Sequence, residues 1–589
     1  MLALAATSAA GGDKLAWTPW TPDIFARAKA ENRFVILDLE AVWCHWCHVM
    51  EETTYSDPKV VDLLKSKYLT VRVDQDANPD LANRYGDWGW PATIIFAADG
   101  SEIAKRAGYI PPGNMTALLE AIIKDPSPGP SVEAEEAVRP SQSGQLSPEQ
   151  RADLSARSLE AFDDKFGGWG DVHKFIDADS MDWELTLAGR GDKAAAARAQ
   201  KTFGSALNLI DRVAGGIYQY SDAMDWKSPH YEKIMWYQAN GLRQFAMAYA
   251  MWKDPRYLDA AREIKRYLMT VLHSPAGAFY TSQDADVSAA VPGKVYYAMT
   301  QAERAKAGGE PRIDKNMYAR ENAWAVRGLA AYYASTGEAE ALSAAEQAAR
   351  WIIANRGLDG GGYRHGDTDR NGPYLGDTLA VGQAALDLYA ASGHSEWLDV
   401  AAKAGDFITA KFKDETGGFL TSTKAEATTG VFTKPATVLD EQVQVARFAN
   451  LLFRYTGTDA YRMSAEHASR YAMSDAVIGL PRALPGILLA DAELGREPTH
   501  MTIVGGKDNP KSLALHAAAL GYPSAYKRVD WWDKREGPLR NPDVSYPELD
   551  EPAAFACSDR LCSLPVFEAA ELAPTVDRML ARKSGSTAR

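Results

Sequence analysis

The stretch FVILDLEAVWCHWCHVM, Phe34 to Met50, decides the fold of the N-terminal part of this chain. An apolar, β-rich run (Phe34-Val35-Ile36-Leu37) passes into a short polar turn, and Trp43 then introduces Cys44-His45-Trp46-Cys47. The residues from His48 to Glu51 continue as a helix. A strand followed by Cys-x-x-Cys at a helix start is where a redox dithiol sits. The helix N-terminus brings partial positive charge and unpaired N–H groups to the first sulfur, which favours the thiolate and lowers the thiol pKa. One helical turn brings the two sulfurs within bonding reach. The same residues also fit the C-x-x-C-H pattern of haem attachment, but nothing nearby suggests a haem-enclosing domain. Two Cys and two His within five residues can hardly close a metal tetrahedron. No metal or other cofactor is expected.

The flanks extend this reading. Residues 71–74 read as a second strand and 89–96 as a third, with Pro91 at its head. Proline cannot donate to a ladder, so in that place it is expected to be cis and packed against the dithiol. Asp99-Gly100 marks a hairpin turn, and 101–107 a last strand. Helices are expected at 22–30 and at 58–67, the second capped by Asp57 ahead of Pro58. Residues 13–124 thus resemble a thioredoxin domain. That resemblance implies Cys44 as attacking thiolate and Cys47 as resolving thiol, with Trp43, Trp90 and Pro91 at the substrate groove.

At 589 residues the chain is too long for one core and calls for several domains. A net charge of −14 argues against a nucleic-acid partner, which needs a basic footprint. No apolar run is long enough to span a membrane. Sixteen Trp and twenty-six Tyr suit amphipathic clefts such as carbohydrate sites as well as cores. The four cysteines form two close pairs, Cys44/Cys47 and Cys557/Cys562, which are local dithiols and not a disulfide scaffold. For the second pair a strand-end disulfide, two unlinked thiols and a partnership with the first pair all remain open. The start, MLALAATSAAGG, looks like the end of a signal peptide's apolar region without its basic segment, which favours a periplasmic or secreted location over a cytoplasmic one.

Residues 125–147 are rich in Pro, Ser and Gly and read as a linker. From 148 to 495 the pattern is helical, with long helices expected at 232–252, 255–272, 320–335, 338–355, 377–392, 396–412, 439–455 and 460–472. One feature recurs: Gly167-Gly168-Trp169, Gly215-Gly216-Ile217, Gly277-Ala278-Phe279, Gly361-Gly362-Tyr363 and Gly417-Gly418-Phe419. Such spacing marks stacked helical hairpins. Closure into an all-α (α/α)6 toroid is expected, with an open solenoid as the alternative. The Gly-aromatic loops would ring a cleft, with Tyr218, Phe279 and Tyr363 on its walls. His230, Glu232 and Lys233 are expected at a helix start, with His230 facing the mouth opposite Asp284 or Asp286. An imidazole and paired acids suit proton transfer on sugars. Residues 496–589 read as a small α/β appendage.

The runs CHWCHVMEE, VRVDQDANPDL, GWPATIIF, FDDKFGGWG, GGIYQYS…SPHYEK, AFYTSQDAD and FACSDRLCSLP lie collinearly along the chain. They resemble the spermatogenesis-associated thioredoxin-domain family, which implies a thioredoxin-like domain joined to a six-hairpin toroid similar to sugar 2-epimerases and glycosidases. Arg320-Glu321-Asn322-Ala323-Trp324 and Leu439-Asp440-Glu441-Gln442 stand where that family carries other runs. The expected function is thiol–disulfide oxidoreduction with a protein dithiol or disulfide partner, coupled to a toroid that binds or modifies a carbohydrate-like small molecule. Alternatives are a sugar epimerase or glycosidase with a regulatory dithiol, and a non-enzymatic scaffold.

Overall fold

The computed structural model describes residues 15–586 except 133–137, 171, 370 and 559–560. The signal-like start, residues 1–12, lies outside the described residues. The chain divides into two compact units, Met1–Glu136 with Lys424–Ala436, and Ala137–Thr423 with Thr437–Arg589.

The first unit runs α1 (Ile24–Glu31), β1 (Phe34–Glu40), α2 (His45–Thr53), α3 (Pro58–Lys67), β2 (Tyr68–Asp74), α4 (Pro79–Tyr85), β3 (Ala92–Phe96), β4 (Glu102–Ala107) and α5 (Pro112–Lys124). The sheet order is β2-β1-β3-β4, with β2 parallel to β1 and the other two pairings antiparallel. This is a thioredoxin-like α/β fold. Both faces of β1 are covered: Val35, Leu37 and Leu39 join Val71, Ile94 and Phe96, whereas Ile36 joins Met50, Val60 and Leu119. A strand covered on both faces reads as a continuous apolar run, as this one does. Asp57 caps α3 through the N–H groups of Lys59 and Val60. Residues 424–436, expected within the toroid, belong to this unit. Phe432 is fully buried against Trp20, Phe25 and Phe96, and Arg84 donates to the Lys434 carbonyl.

The second unit continues with α6 (Pro148–Glu160), α7 (Ala178–Gly189) and α8 (Lys193–Ala206), then short strands β5 (Tyr220–Ser221), β6 (Pro229–His230) and β7 (Lys233–Ile234). After α9 (Met235–Trp252) and α10 (Pro255–Tyr267) come β8 (Ser282–Gln283), the one-turn helices α11 (Gly293–Tyr296) and α12 (Gln301–Arg304), and β9 (Ile313–Asp314). The rest is α13 (Ala319–Thr336), α14 (Ala339–Arg356), α15 (Leu375–Ser392), α16 (Ser395–Lys411), α17 (Leu439–Thr456), α18 (Asp459–Ala472), α19 (Asp475–Ile478) and α20 (Pro485–Leu494). Helices α7, α9, α13, α15, α17 and α20 contact one another in that order, and α20 returns to α7. That closed inner ring, wrapped by α6, α8, α10, α14, α16 and α18, is an (α/α)6 toroid and not an open solenoid.

The Gly repeat has one structural meaning throughout. In each copy a turn ends in an isolated bridge: Phe162 with Trp169, Ile210 with Ile217, His273 with Phe279, Gly357 with Tyr363 and Lys413 with Phe419. At Gly216 the backbone is left-handed (φ 85°), and a Cβ would meet the Tyr267 ring at 2.9 Å, so only glycine fits. Inner-helix side chains clamp the residue after the turn. Gln238 bonds both the N–H and the carbonyl of Ile217, Asn322 those of Phe279 and Gln442 those of Phe419.

The appendage consists of β10 (Thr499–Val504), α21 (Pro510–Leu520), β11 (Lys527–Trp532), β12 (Ala553–Ser558), β13 (Leu561–Cys562) and α22 (Ala569–Ser586), with sheet order β11-β10-β12-β13. It covers the C-terminal ends of inner helices. The Tyr389 hydroxyl donates to Asp530 Oδ1 at 2.9 Å, the Val529 N–H to the Tyr455 hydroxyl at 3.1 Å, and His516 Nε2 meets the Ala390 carbonyl at 2.8 Å. Among the described residues no helix is long and apolar enough to cross a membrane.

Candidate functional site

Cys44 is the N-cap of α2, in extended conformation, and its sulfur accepts the Cys47 N–H at 3.1 Å. Cys44 and Cys47 are joined as a disulfide, and the Trp90–Pro91 peptide is cis. Cys44 and Cys47 are 3% and 4% exposed, so exchange with a partner requires the attacking sulfur to be uncovered. Trp43 is buried, and its indole N–H donates to Asp76 Oδ2 at 2.7 Å, so it braces the turn before the disulfide. Trp90 remains partly exposed beside Pro91.

On β1, the strand that leads into the dithiol turn, lies a group absent from the expected set. Asp38, 2% exposed on β1, accepts from Tyr55 Oη at 3.2 Å and from Arg72 Nε at 2.9 Å. Burial pushes its pKa up to about 6 despite the Arg72 guanidinium. Arg72 also pairs with Glu40 and Glu51 and lies over the Trp17 ring at 4.1 Å. The signal was present in the sequence: an acid interrupts VILDLE, and a basic residue interrupts VRVD.

In the toroid, residues 229–234 correct an expectation. They are the extended strands β6 and β7 and not a helix start, because His230 pairs with Tyr220 and Lys233 with Gln283; α9 begins only at Met235. Extended chain alternates faces. His230 and Glu232 therefore share one side, with Nδ1 and Oε2 3.5 Å apart, and His230 Nε2 meets Asp222 Oδ2 at 2.7 Å. Burial alone would lower the His230 pKa, but Glu232 and Asp222 raise it overall. Lys233 turns to the other side and is fully buried, bonding Asp211 Oδ2 and the Gly215 carbonyl at 2.7 Å each among Tyr218, Tyr267 and Tyr297. Although burial works against its charge, Lys233 and Arg304 hold the Asp211 carboxyl down at about 2. Lys233 is thus a structural cation.

Asp284 is 5% exposed, and burial, opposed by the Asp286 N–H, raises its pKa to about 7, with Glu232 adding to the rise. Asp286 accepts the Gly293 N–H at 2.6 Å. Phe279 and Tyr363, expected on the cleft walls, are 0% and 5% exposed and lie in the toroid core. Tyr218 is 6% exposed and packs beside Lys233. The aromatic of the repeat points back into the core because its backbone is clamped by the following inner helix. The exposed aromatic surface is instead Trp236, 41% exposed on α9, edge-on to Trp324 of α13 at 4.7 Å.

A second cluster at the N-terminal ends of the inner helices joins Glu321, His365 and Asp377, each at most 2% exposed, with ligand-capable atoms all within 4.8 Å of one another. His365 Nδ1 meets Asp377 Oδ1 at 2.9 Å, and its ring stacks on Tyr318 at 4.2 Å. Burial opposes the His365 charge, but Asp377 and then Glu321 raise its pKa overall. Glu321 Oε2 and Asp377 Oδ2 have no hydrogen-bond partner among the described residues. At the other end of the bore a cavity of about 180 Å³ is lined by Arg243, Arg327, Arg447 and Lys527. Asp182, Asp387 and Glu493 hold those three arginines, and burial lowers the Lys527 pKa to about 8.

Cys557 and Cys562 are also bonded, across β12 and β13.

Residues 8–124 match the family described as Thioredox_DsbH, protein of unknown function, DUF255. Spermatogenesis-associated protein 20 of Homo sapiens is 22% identical across 94% of this chain and 89% of its own length. An uncharacterized Caenorhabditis elegans protein, B0495.5, is 26% identical across 46% of this chain, and that match spans 41% of the relative's length. The thiol:disulfide interchange protein DsbD of Pseudomonas fluorescens is 36% identical over 78 residues, 13% of each chain. Among solved structures, a D-mannose isomerase is similar over 59% of this chain and 96% of its own, at 12% identity and a TM-score of 0.46. From its dithiol to its appendage the chain resembles spermatogenesis-associated protein 20, and its first domain carries the DsbH-type thioredoxin pattern.

Proposed function

We propose that this protein is a thiol–disulfide oxidoreductase acting through Cys44 and Cys47, with a toroid that binds or modifies a carbohydrate-like ligand. The observation that carries the first part is the place of Cys44: it caps α2, its sulfur accepts a helix N–H, and it is already bonded to Cys47. In the reduced state that N–H and the helix dipole favour the Cys44 thiolate. The thiolate attacks one sulfur of a partner disulfide and forms a mixed disulfide as the partner's other sulfur leaves as thiolate. The Cys47 thiolate then attacks Cys44 and releases the reduced partner. Pro91 and the partly exposed Trp90 shape the groove beside the sulfurs. The interchange activity named for DsbD agrees with this chemistry. In a C47S variant a partner should remain linked to Cys44, as read by peptide mass mapping; the absence of any mixed disulfide on Cys44 would reject it.

The toroid reading rests on the Trp236–Trp324 pair and on the buried acid–imidazole clusters at the same helix ends. Exposed indoles provide stacking faces for sugar rings. His230 with Glu232 and Asp284, or His365 with Glu321 and Asp377, would move the proton in an epimerisation or hydrolysis. Neutral mono- and disaccharides titrated calorimetrically into the full chain test it. Binding weakened about tenfold by W324A in a variant that melts normally supports the reading, and no heat from any sugar class counts against it.

A further inference from the structure

The chemistry proposed above leaves the second cysteine pair unused. Cys557 and Cys562 are directly opposed on antiparallel β12 and β13 and share a disulfide. β13 is the outermost strand of its sheet, so its outer backbone edge is open to a partner chain. Cys557 is 5% exposed and packs with Val504, Ala553 and Phe555, whereas Cys562 is exposed. Beside Cys562 stand Leu561 and Leu564, 74% and 86% exposed, the two barest large apolar side chains among the described residues. Two neighbouring uncovered leucines at the rim of the disulfide make an apolar patch whose hydration is unfavourable and which a docking partner would cover.

The register adds a chemical reason. Arg528 of β11 aligns with His500 of β10, His500 with Cys557, and Cys557 with Cys562. Directly aligned residues share a face of the sheet, so a guanidinium and an imidazole lie in the row behind the Cys557 sulfur. Asp530 Oδ2 holds both, at 2.6 and 3.0 Å, Asp543 Oδ2 pairs with Arg528 Nη1 at 2.7 Å, and Arg528 Nη2 keeps an unused donor among the described residues. A hydrogen-bond donor left over beside a sulfur favours its thiolate and makes it a better leaving group.

We propose that Cys557–Cys562 is a second exchange site, an accessible disulfide that accepts two electrons from a reduced thioredoxin-class dithiol protein docking on β13 and its leucines. The donor's first thiolate attacks Cys562, the exposed sulfur. The Cys557–Cys562 bond breaks, and Cys557 leaves as thiolate. The donor's second thiolate then attacks its own first sulfur and releases Cys562. The donor ends as a disulfide, and Cys557 and Cys562, with two protons from solvent, as a dithiol. This site and the Cys44–Cys47 reading stand or fall separately.

The test uses the full chain carrying C44S and C47S, so that only the second pair can react. Reduced thioredoxin and, separately, dithiothreitol at equal thiol concentration are added under native conditions, and the opened pair is counted by maleimide gel shift. Thioredoxin is expected to open the pair at least tenfold faster than dithiothreitol. The exposed double substitution L561S/L564S should remove most of that advantage without changing the melting curve. Thioredoxin lacking its resolving cysteine should be trapped on Cys562, as read by peptide mass mapping. A pair that opens only in denaturant, that reacts equally with both reductants, or that traps the probe on Cys557 overturns the proposal.

Discussion

Replacing Asp38 by Asn should stabilise the first unit at neutral pH and leave it nearly unchanged at pH 4. Asp38 is buried on β1, and its pKa stands at about 6 against the ordinary 3.8, first because of burial, with Arg72 opposing the rise. A rise of that size corresponds to about 3 kcal/mol, at about 1.36 kcal/mol per pKa unit. The folded chain favours the protonated carboxyl, so it binds more protons than the unfolded chain between these two values. Stability from this group is therefore complete below the unfolded pKa and lost as pH rises through about 6. Asparagine can keep its Oδ1 as acceptor for Arg72 and turn its Nδ2 to donate to the Tyr55 oxygen, without a buried charge. Hydrogen exchange of peptides covering Phe34–Glu40 and Tyr68–Asp74, corrected for intrinsic rates, reads the opening of this sheet. At pH 7 the variant should exchange on the order of 100-fold more slowly than the parent, and at pH 4 within a few-fold of it. Equal protection at both pH values, or a variant less protected at pH 7, would refute the reasoning and mean that Arg72 compensates the Asp38 charge fully.

Asp211→Asn should leave Lys233 and Arg304 buried without their shared carboxylate, and lower the denaturant stability of the second unit by about 3–5 kcal/mol. In the toroid, E321Q and H365A should abolish any sugar turnover while W324A weakens binding about tenfold, checked by kinetics beside thermal melts. A uniform loss across all three, accompanied by lower melting temperatures, would assign that cluster to packing alone.

The parts of this fold legible in the sequence are those whose causes are local. Cys44 at a helix start, Pro91 heading an apolar strand and Asp57 before Pro58 each follow from neighbours a few residues away, and the structure places all three as expected. The Gly repeat also announced itself, but the direction of its aromatic did not. Phe279 faces the core because Asn322, 43 residues on, clamps its backbone. His230 and Lys233 looked helical because the strands that pair with them, at Tyr220 and Gln283, lie elsewhere in the chain. Phe432 gave no local sign that its partners were Trp20 and Phe25. Glu321, His365 and Asp377 arrive from three separate segments, so no short motif carries their cluster.

The most direct test of the central claim is a redox titration of the full chain, with thiols quenched by acid and alkylated for mass spectrometry residue by residue. Cys44 and Cys47 should pass together from disulfide to dithiol under native conditions. The freed Cys44 should then alkylate with an apparent pKa below the free-cysteine value of about 8.5, while Cys47 titrates higher. A pair that stays oxidised until the protein unfolds, or a Cys44 that titrates at or above the free-cysteine value, would contradict it.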